Sequence, residues 1–190
     1  LVELQAKLVA LDDEEAELRR RLSAGGLTSE EEEAIHRRLA EIAQERIVIK
    51  LAILDLQKAE LLRQIESGTL SPEDEEEMRR LLAGLEQSSL QLKIGALDAE
   101  EAELRRRLAS GNLTAAEEEA IRRRLAEIAQ ERIVLELQKL QLEELEMKRR
   151  LASGMLSEAE AEGARRRLAD IAQSRVQLKI DAIKAEEGEL

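Results

Sequence analysis

The 190-residue chain contains no phenylalanine, tyrosine, tryptophan or cysteine, and only one proline and one histidine. Without aromatic rings it lacks the usual stacking surfaces for bases and sugars and the usual anchors of protein interfaces. Without cysteine it has no thiol chemistry and no disulfide that would indicate a compartment. These absences narrow the range of functions before any motif is considered.

The charge balance is acidic, with 42 acidic against 30 basic side chains and a formal net charge of −12. A net anion repels phosphate, so this balance opposes binding to nucleic acid and to anionic membrane surfaces. No apolar run approaches the roughly 18 residues of a membrane span, and the N-terminus has no basic region or signal core. We therefore expect a soluble chain whose partners include neither nucleic acid nor membrane.

One short phrase occurs four times at a spacing of 43 residues and organises the chain. In each phrase a glycine suited to closing a helix stands three residues before a Ser or Thr suited to capping the next one. An acid follows three residues after each cap, as in a capping box, and Pro72 occupies the first helical position of its helix. The phrase predicts tight reversals between antiparallel helices. The glycines are Gly25, Gly68, Gly111 and Gly154, and the caps are Thr28, Ser71, Thr114 and Ser157.

Between the reversals the sequence predicts five helices, at about residues 1–24, 29–67, 73–110, 115–153 and 158–190. The three inner helices are each about 40 residues, or roughly 60 Å long, so they need partners along their whole length. Heptad rows in the second helix support a coiled-coil-like seam. We expect an all-α fold, an antiparallel up-down bundle of five helices that forms a single domain over residues 1–190.

Two places along these helices depart from a regular amphipathic pattern. The mid-rod segment, residues 47–56, carries apolar groups on nearly every side, which predicts burial at the centre of the bundle or against another chain. The third helix has Ser88 and Ser89 near its middle, between Gly84 and Gly95, and each glycine costs about 1 kcal/mol relative to alanine. We expect this helix to be continuous, with bending or close packing there, and a break at the two serines is the alternative.

A second level of repetition has a period of 86 residues. Residues 11–22 match 97–108 at eleven of twelve positions, whereas at an offset of 43 residues 35–48 match 78–91 at only four of fourteen. Because neighbouring helices point in opposite directions, the repeat unit is a helical hairpin. The first helix corresponds to only half of a rod, which predicts an open half-position where a second copy or a designed partner can pack.

The sequence predicts no catalytic, cofactor-binding or metal-binding residues, and no cofactor. His36 follows Glu33 at a spacing that di-iron bundles use, but it is the only histidine and its counterpart is Arg122, so we expect it to face solvent. Ser88 has no histidine base, and the glycines do not precede a phosphate-binding G-K-[ST] motif. Carboxylate strings such as residues 30–33 face water, without the desolvation that raises a pKa for acid catalysis.

Arginine triplets and recurring Gln–Arg positions are the other polar features. Glutamates four residues before the triplets predict ordinary intrahelical ion pairs on solvated faces, not a polyanion site. Gln44 and Arg46 recur near the middle of later helices. We favour a hydrogen-bonded layer that fixes the register, or arginines whose apolar stems are covered while their charged groups reach water, over a polar layer that lines a central cavity or a ligand pocket. The triplets begin at Arg19, Arg105, Arg122 and Arg165, and the recurring positions are Gln87, Gln130, Gln173, Arg132 and Arg175.

With its idealised reversals, near-repeats and missing aromatics, the chain resembles de novo designed helical repeat and bundle proteins. Phrases such as LSPEDEE at residues 70–76 and GNLTAAE at 111–117 look like designed caps. The resemblance implies no natural substrate, production in a laboratory host and high stability. The copies differ from one another, which departs from verbatim repeats and leaves room for an asymmetric or oligomeric design.

We expect a structural scaffold that is not an enzyme and that forms a homo-oligomer through exposed apolar helix faces. The alternative is a binding module that holds a partner helix or a small apolar ligand in a groove or central pocket, although no known small molecule is indicated. A third hypothesis is an amphipathic protein of lipid surfaces, which the negative charge opposes.

Overall fold

The computed structural model describes residues 1–188, which form five α-helices and no strand. The helices are α1 (Val2–Ala24), α2 (Ser29–Glu66), α3 (Pro72–Ser110), α4 (Ala115–Ala152) and α5 (Glu158–Gly188). The prediction of an all-α chain of five helices is confirmed, while the predicted end of the last helix at residue 190 lies outside the described residues. Among these five helices, none combines the length and the hydropathy that crossing a membrane requires.

Each reversal has a glycine in the left-handed region, with φ between 67° and 71° at the four predicted positions. At Gly111, for example, φ is 70°, a conformation in which any other L-residue would bring its Cβ against the backbone. The chain therefore leaves each of these helices at the residue that the sequence pattern indicates.

Reciprocal hydrogen bonds start the helices that follow. The hydroxyl of Thr114 accepts from the backbone N–H of Glu117 at 3.2 Å, and the Glu117 carboxylate accepts from the N–H of Thr114 at 2.8 Å. Asp74 departs from this pattern, because its shorter side chain accepts from the hydroxyl of Ser71 at 2.7 Å instead. Two orphan helix donors are thus satisfied at Thr114, whereas the capping at Ser71 satisfies one through its side chain.

The helix α3 is continuous through Ser88 and Ser89, so the predicted continuous helix is observed and not the break. The hydroxyl of Ser88 donates to the carbonyl of Gly84 at 3.0 Å, one turn earlier in the same helix. A Cβ built on Gly84 or Gly95 would meet no atom within 4 Å. Close packing therefore does not explain these glycines.

The first compact unit, Leu1–Arg106, contains α1, α2 and nearly all of α3. The helices α1 and α2 pack together, and the Arg38 guanidinium joins them by donating to both carboxylate oxygens of Glu14, at 2.7 and 2.9 Å. The apolar core of this unit consists of Leu11, Ile35, Ile42, Leu90, Ile94 and Leu97.

The second compact unit comprises the described residues from Arg107 on, with α4 packed against α5. Here the Arg167 guanidinium donates to both carboxylate oxygens of Glu143, at 2.6 and 2.8 Å. Its buried apolar side chains are Ile121, Ile128, Ala164 and Ile171. The single domain expected from the sequence stays a prediction.

The mid-rod segment is not buried on all sides within this chain. Val48 is 65% exposed and Leu56 is 50% exposed, whereas Ile42, one turn before the segment, has no exposed surface. Of the two places predicted for this segment, the centre of the bundle does not account for these exposed side chains. Burial of this segment against another chain stays a prediction.

Candidate functional site

An apolar groove of 630 Å³ opens on the first unit between α2 and α3. Leu56 and Leu81, one from each helix, are about half exposed at 50% and 51%, so the groove presents apolar surface to solvent. The groove is lined by Leu1, Leu56, Gln57, Glu60, Leu61, Leu81 and Leu85. A concave surface of this composition suits the apolar face of a helix or a small apolar molecule.

Glu60 is the charged group of this groove. Its carboxylate accepts from the guanidinium of Arg63 at 2.7 Å and from the amide of Gln64 at 2.8 Å. The hydrogen bond from Arg63, followed by that from Gln64, lowers the pKa of Glu60 from its ordinary value. The groove therefore carries an ionised carboxylate at neutral pH, and its charge is paired with the guanidinium of Arg63.

A second, polar recess of 420 Å³ lies between α1 and α2. Arg46, whose side chain is 23% exposed, bonds the carboxylate of Asp12 at 2.7 Å and also contacts the carboxylate of Glu15. The hydrogen bond with Glu15 is the main cause that raises the pKa of the Arg46 guanidinium. Arg46 is therefore charged and forms ion pairs that link α2 to α1. The recess is lined by Leu8, Asp12, Glu15, Ala16, Arg19, Arg46 and Lys50.

The recurring Gln–Arg positions make contacts between helices. The amide of Gln44 donates to the backbone carbonyl of Ala96 at 3.5 Å, which links α2 to α3. In the second unit Arg175 contacts Glu144 across α4 and α5. These polar groups therefore join neighbouring helices, and a layer that fixes the register stays a prediction.

The sequence predicts that His36 faces solvent. In the structure this side chain is half-buried. Glu33, the carboxylate of the same E-x-x-H spacing, accepts two hydrogen bonds at 3.1 Å from the guanidinium of Arg106 on α3. That guanidinium lowers the pKa of Glu33. Over the described residues, no group of three or more His, Cys, Asp or Glu side chains is arranged to hold a metal ion.

Several carboxylates among the described residues have pKa values below the ordinary value. The pKa of Glu14 is lowered mainly by its hydrogen bond with Arg38, and that of Glu144 mainly by its hydrogen bond with Lys148. The pKa of Glu117 is lowered mainly by the backbone N–H of Thr114. A general acid needs the opposite shift, so these groups act as ion-pair and capping partners.

The arginine triplets form the intrahelical ion pairs that the sequence predicts. A guanidinium lies next to a glutamate carboxylate one turn earlier on the same helix, and these guanidiniums are between 70% and 77% exposed. The pairs are Arg19–Glu15 at 2.5 Å, Arg105–Glu101 at 2.5 Å, Arg122–Glu118 at 3.5 Å, Arg123–Glu119 at 2.6 Å and Arg166–Glu162 at 2.6 Å. The sequence predicts pairing within these helices but not the ion pairs between helices, such as that of Arg38 with Glu14.

Exposed apolar side chains on several helices are the other candidate for function. On α5 they lie close together along the helix, with Val176 57%, Ile180 40% and Ile183 56% exposed. On α1, Val2 is 79% and Val9 60% exposed. The sequence predicts exposed apolar faces, but hydrophobic periodicity alone does not say which of the apolar rows another helix covers.

Comparison of the chain with protein-family models, with curated proteins and with solved structures gives no match.

Proposed function

We propose that this chain is a designed structural scaffold without catalytic activity, which associates with itself through exposed apolar helix faces. The observation that carries the proposal is the exposure of apolar side chains in rows, on helices that also bury isoleucines completely. Apolar rows of this kind are contact surfaces for another helix, because burying them removes apolar area from water.

The finer architecture belongs to the same proposal: an antiparallel up-down bundle built on an 86-residue helical-hairpin repeat. The contacts between α2 and α3 support it. The early residue Glu33 of α2 meets the late residue Arg106 of α3, and the later Gln44 meets the earlier Ala96. Antiparallel neighbours pair residues in this crossed order.

Designed origin is supported by the way in which one set of interactions is used again. The ion pair between Arg38 and Glu14 recurs 129 residues later as Arg167 and Glu143. The idealised capping boxes at Thr28 and Thr114 are 86 residues apart and have nearly the same backbone angles. Repetition of this regularity is typical of designed helical repeats.

A binding module is the second candidate function, and the apolar groove between α2 and α3 favours it. Its volume of 630 Å³ lies in the usual range for ligand pockets, about 300–1,000 Å³. A solvatochromic apolar dye tests this candidate. The groove predicts saturable binding that Leu81→Glu and Leu85→Glu abolish, and an unchanged dye signal in the unmutated protein would argue against it.

Sedimentation equilibrium over a hundredfold range of protein concentration tests the leading proposal. Self-association predicts an average mass that rises above 21.4 kDa and tends to a multiple of it. A mass of one chain throughout that range would contradict self-association and leave the groove as the remaining functional surface.

A further inference from the structure

The contact between α2 and α3 is a template for how two helices of this chain meet. The Arg106 guanidinium donates to both carboxylate oxygens of Glu33, each at 3.1 Å. The amide of Gln44 donates to the backbone carbonyl of Ala96. One ion pair and one side-chain-to-backbone bond therefore define this pairing, and both can be looked for elsewhere in the sequence.

The helix α5 is the counterpart of α2, at an offset of 129 residues. Its Arg167 pairs with Glu143 as Arg38 of α2 pairs with Glu14. The fully buried Ile42 likewise has a counterpart in Ile171, which is 1% exposed. The side of α5 that faces α4 thus repeats the side of α2 that faces α1.

The opposite side of α5 is exposed, whereas the equivalent side of α2 is half-buried. In α2 a stripe at helical spacing is half-buried: Glu33, His36, Ala40, Ala43, Ile47, Leu51 and Leu54. The α5 outer stripe, at the equivalent positions, is exposed throughout: Glu162, Arg165, Ala169, Ala172, Val176, Ile180 and Ile183. The same helix face is therefore half-buried on α2 and exposed on α5.

The helix α1 is the counterpart of the second half of α3, at an offset of 86 residues. The ion pair between Arg20 and Glu17 repeats the pair between Arg106 and Glu103. The α1 outer stripe is exposed throughout: Val2, Ala6, Val9, Ala10, Asp13, Glu17 and Arg20. From Ala6 on, its α3 counterparts are half-buried: Leu92, Gly95, Ala96, Ala99, Glu103 and Arg106.

We propose that the α5 outer stripe of one copy docks on the α1 outer stripe of a second copy and reproduces the contact between α2 and α3. The inference rests on the self-association proposed above and names its two surfaces. At the ion-pair positions the stripes keep the residues of the template, Arg20 on α1 and Glu162 on α5, and each stripe lies exposed where its counterpart in the chain is half-buried.

Charge and hydrogen bonding fix the register of this contact. By the same offsets, Arg20 of one copy meets Glu162 of the other, as Arg106 meets Glu33. The amide of Gln173 then donates to the carbonyl of Ala10, as Gln44 donates to that of Ala96. In this register Val176 and Ile180 lie against the valine end of the α1 outer stripe, so the exposed apolar groups of both stripes are buried together.

The two stripes are different surfaces, so the contact is heterologous. Each copy that uses its α5 outer stripe keeps its α1 outer stripe open for a further copy. Copies therefore add head to tail, and the assembly is a ring where the rotation closes and a filament where it does not.

Two blocked variants test this arrangement. The α1-blocked variant carries Ala6→Glu and Val9→Glu, and the α5-blocked variant carries Val176→Glu and Ile180→Glu. Charges placed among apolar groups weaken each contact by about 100-fold or more. Since both blocked faces are acidic, they also repel each other. A control variant carries Val134→Glu and Leu145→Glu on α4, where both side chains are more than half exposed and lie outside the stripes.

We expect each blocked variant alone to sediment at 21.4 kDa, and an equimolar mixture of the two to form a complex of two chains. The control variant associates as the unmutated protein does. Circular dichroism should show unchanged helix content in all variants, because the substituted side chains are exposed.

The opposite outcomes are distinguishable. If the unmutated protein associates but the blocked variants associate equally well, or if only one block acts, the pairing of α5 with α1 is wrong while self-association stands. A mixture that stays at the mass of one chain also overturns the pairing. An unmutated protein that sediments as one chain overturns both proposals.

Discussion

Three isoleucines have practically no exposed surface: Ile42 and Ile128 at 0% and Ile171 at 1%. They stand at successive offsets of 86 and 43 residues, each in the heptad row that begins at the start of its helix. A fully buried isoleucine contributes through the apolar area it removes from water and through the close contacts it makes. These positions are therefore where side-chain volume matters most.

The substitution Ile128→Ala removes three carbons from such a site and leaves a cavity. We expect it to lower the free energy of unfolding by about 2–5 kcal/mol. Urea denaturation followed by circular dichroism measures this change. The matched control is Val134→Ala on the same helix, where the side chain is 53% exposed and a change within about 0.5 kcal/mol is expected. Equal effects of the two substitutions would contradict the burial of Ile128.

At the residue scale, the sequence predicts contacts within a helix better than contacts between helices. The pair between Arg19 and Glu15 follows from a spacing of four residues alone. The bond between Arg106 and Glu33 depends on how two helices are rotated against each other, which no local spacing specifies. Comparison of ion-pair positions at an offset of 129 residues is a signal that could have found the pair between Arg38 and Glu14, which recurs as Arg167 and Glu143.

At the scale of the element, caps and glycines define where helices begin and end. The predicted reversals follow from local chemistry, because a positive φ at Gly111 and a hydroxyl at Thr114 each act within a few residues. The continuity of α3 through Ser88 and Ser89 also follows, since serines within a long amphipathic pattern lower helix propensity only modestly. The half-buried state of His36 does not follow, because it depends on a neighbouring helix.

Gly84 lowers the stability of α3 without a compensating contact. Its backbone is helical and a Cβ would meet nothing within 4 Å, so Gly84→Ala should raise the free energy of unfolding by about 1 kcal/mol. The same substitution at Gly111, where φ is 70°, should lower it, because alanine is strained in that conformation. Thermal or urea denaturation of both variants measures these opposite changes in the free energy of unfolding. Changes in the same direction would refute the prediction.

Acid should weaken the helix starts. The pKa values of Glu117 and Glu160 are lowered mainly by the backbone N–H groups of Thr114 and Ser157, to which the ionised carboxylates bind. A lowered pKa in the folded state contributes stability above the unfolded pKa of about 4.3 and loses it as the pH falls through the folded value. The urea concentration at the midpoint of unfolding should therefore be constant near pH 6–7 and should decrease at pH values below about 4.

Glutamine at residues 117 and 160 is the matched control for this prediction. Its side-chain oxygen still accepts the capping hydrogen bond but does not titrate in this range. The double variant Glu117→Gln and Glu160→Gln should therefore lose less stability between pH 6 and pH 3 than the unmutated chain. A steeper loss in the double variant would show that other carboxylates, and not the caps, govern the acid response.

At the scale of the whole molecule, parts of the apolar helix faces stay exposed among the described residues. The mid-rod segment illustrates the limit of sequence reasoning, because its pattern predicts burial without saying against what. Val48 at 65% and Leu56 at 50% exposure are apolar positions for which the pattern predicts burial, at the centre of the bundle or against another chain. The sequence likewise predicts a groove only as a kind of site, since the position of its walls depends on how the consecutive helices α2 and α3 are rotated against each other.

The repeat resolves part of this ambiguity, because it supplies a covered copy of each uncovered stripe. Ile47 of α2 is half-buried, while its counterpart Val176 of α5 is 57% exposed. Two equivalent side chains in different states of cover indicate a missing neighbour more directly than hydrophobicity does. In the proposed contact, a second copy of the chain supplies that neighbour.

Disulfide cross-linking between copies tests this claim most directly, because the chain has no cysteine of its own. Ala10→Cys in one sample and Gln173→Cys in another place single thiols at positions that the proposed contact brings together. Oxidation of the mixed samples should give a covalent dimer in high yield, with little from either sample alone. Equal dimer formation by the single samples, or none in the mixture, would contradict head-to-tail docking of α5 on α1.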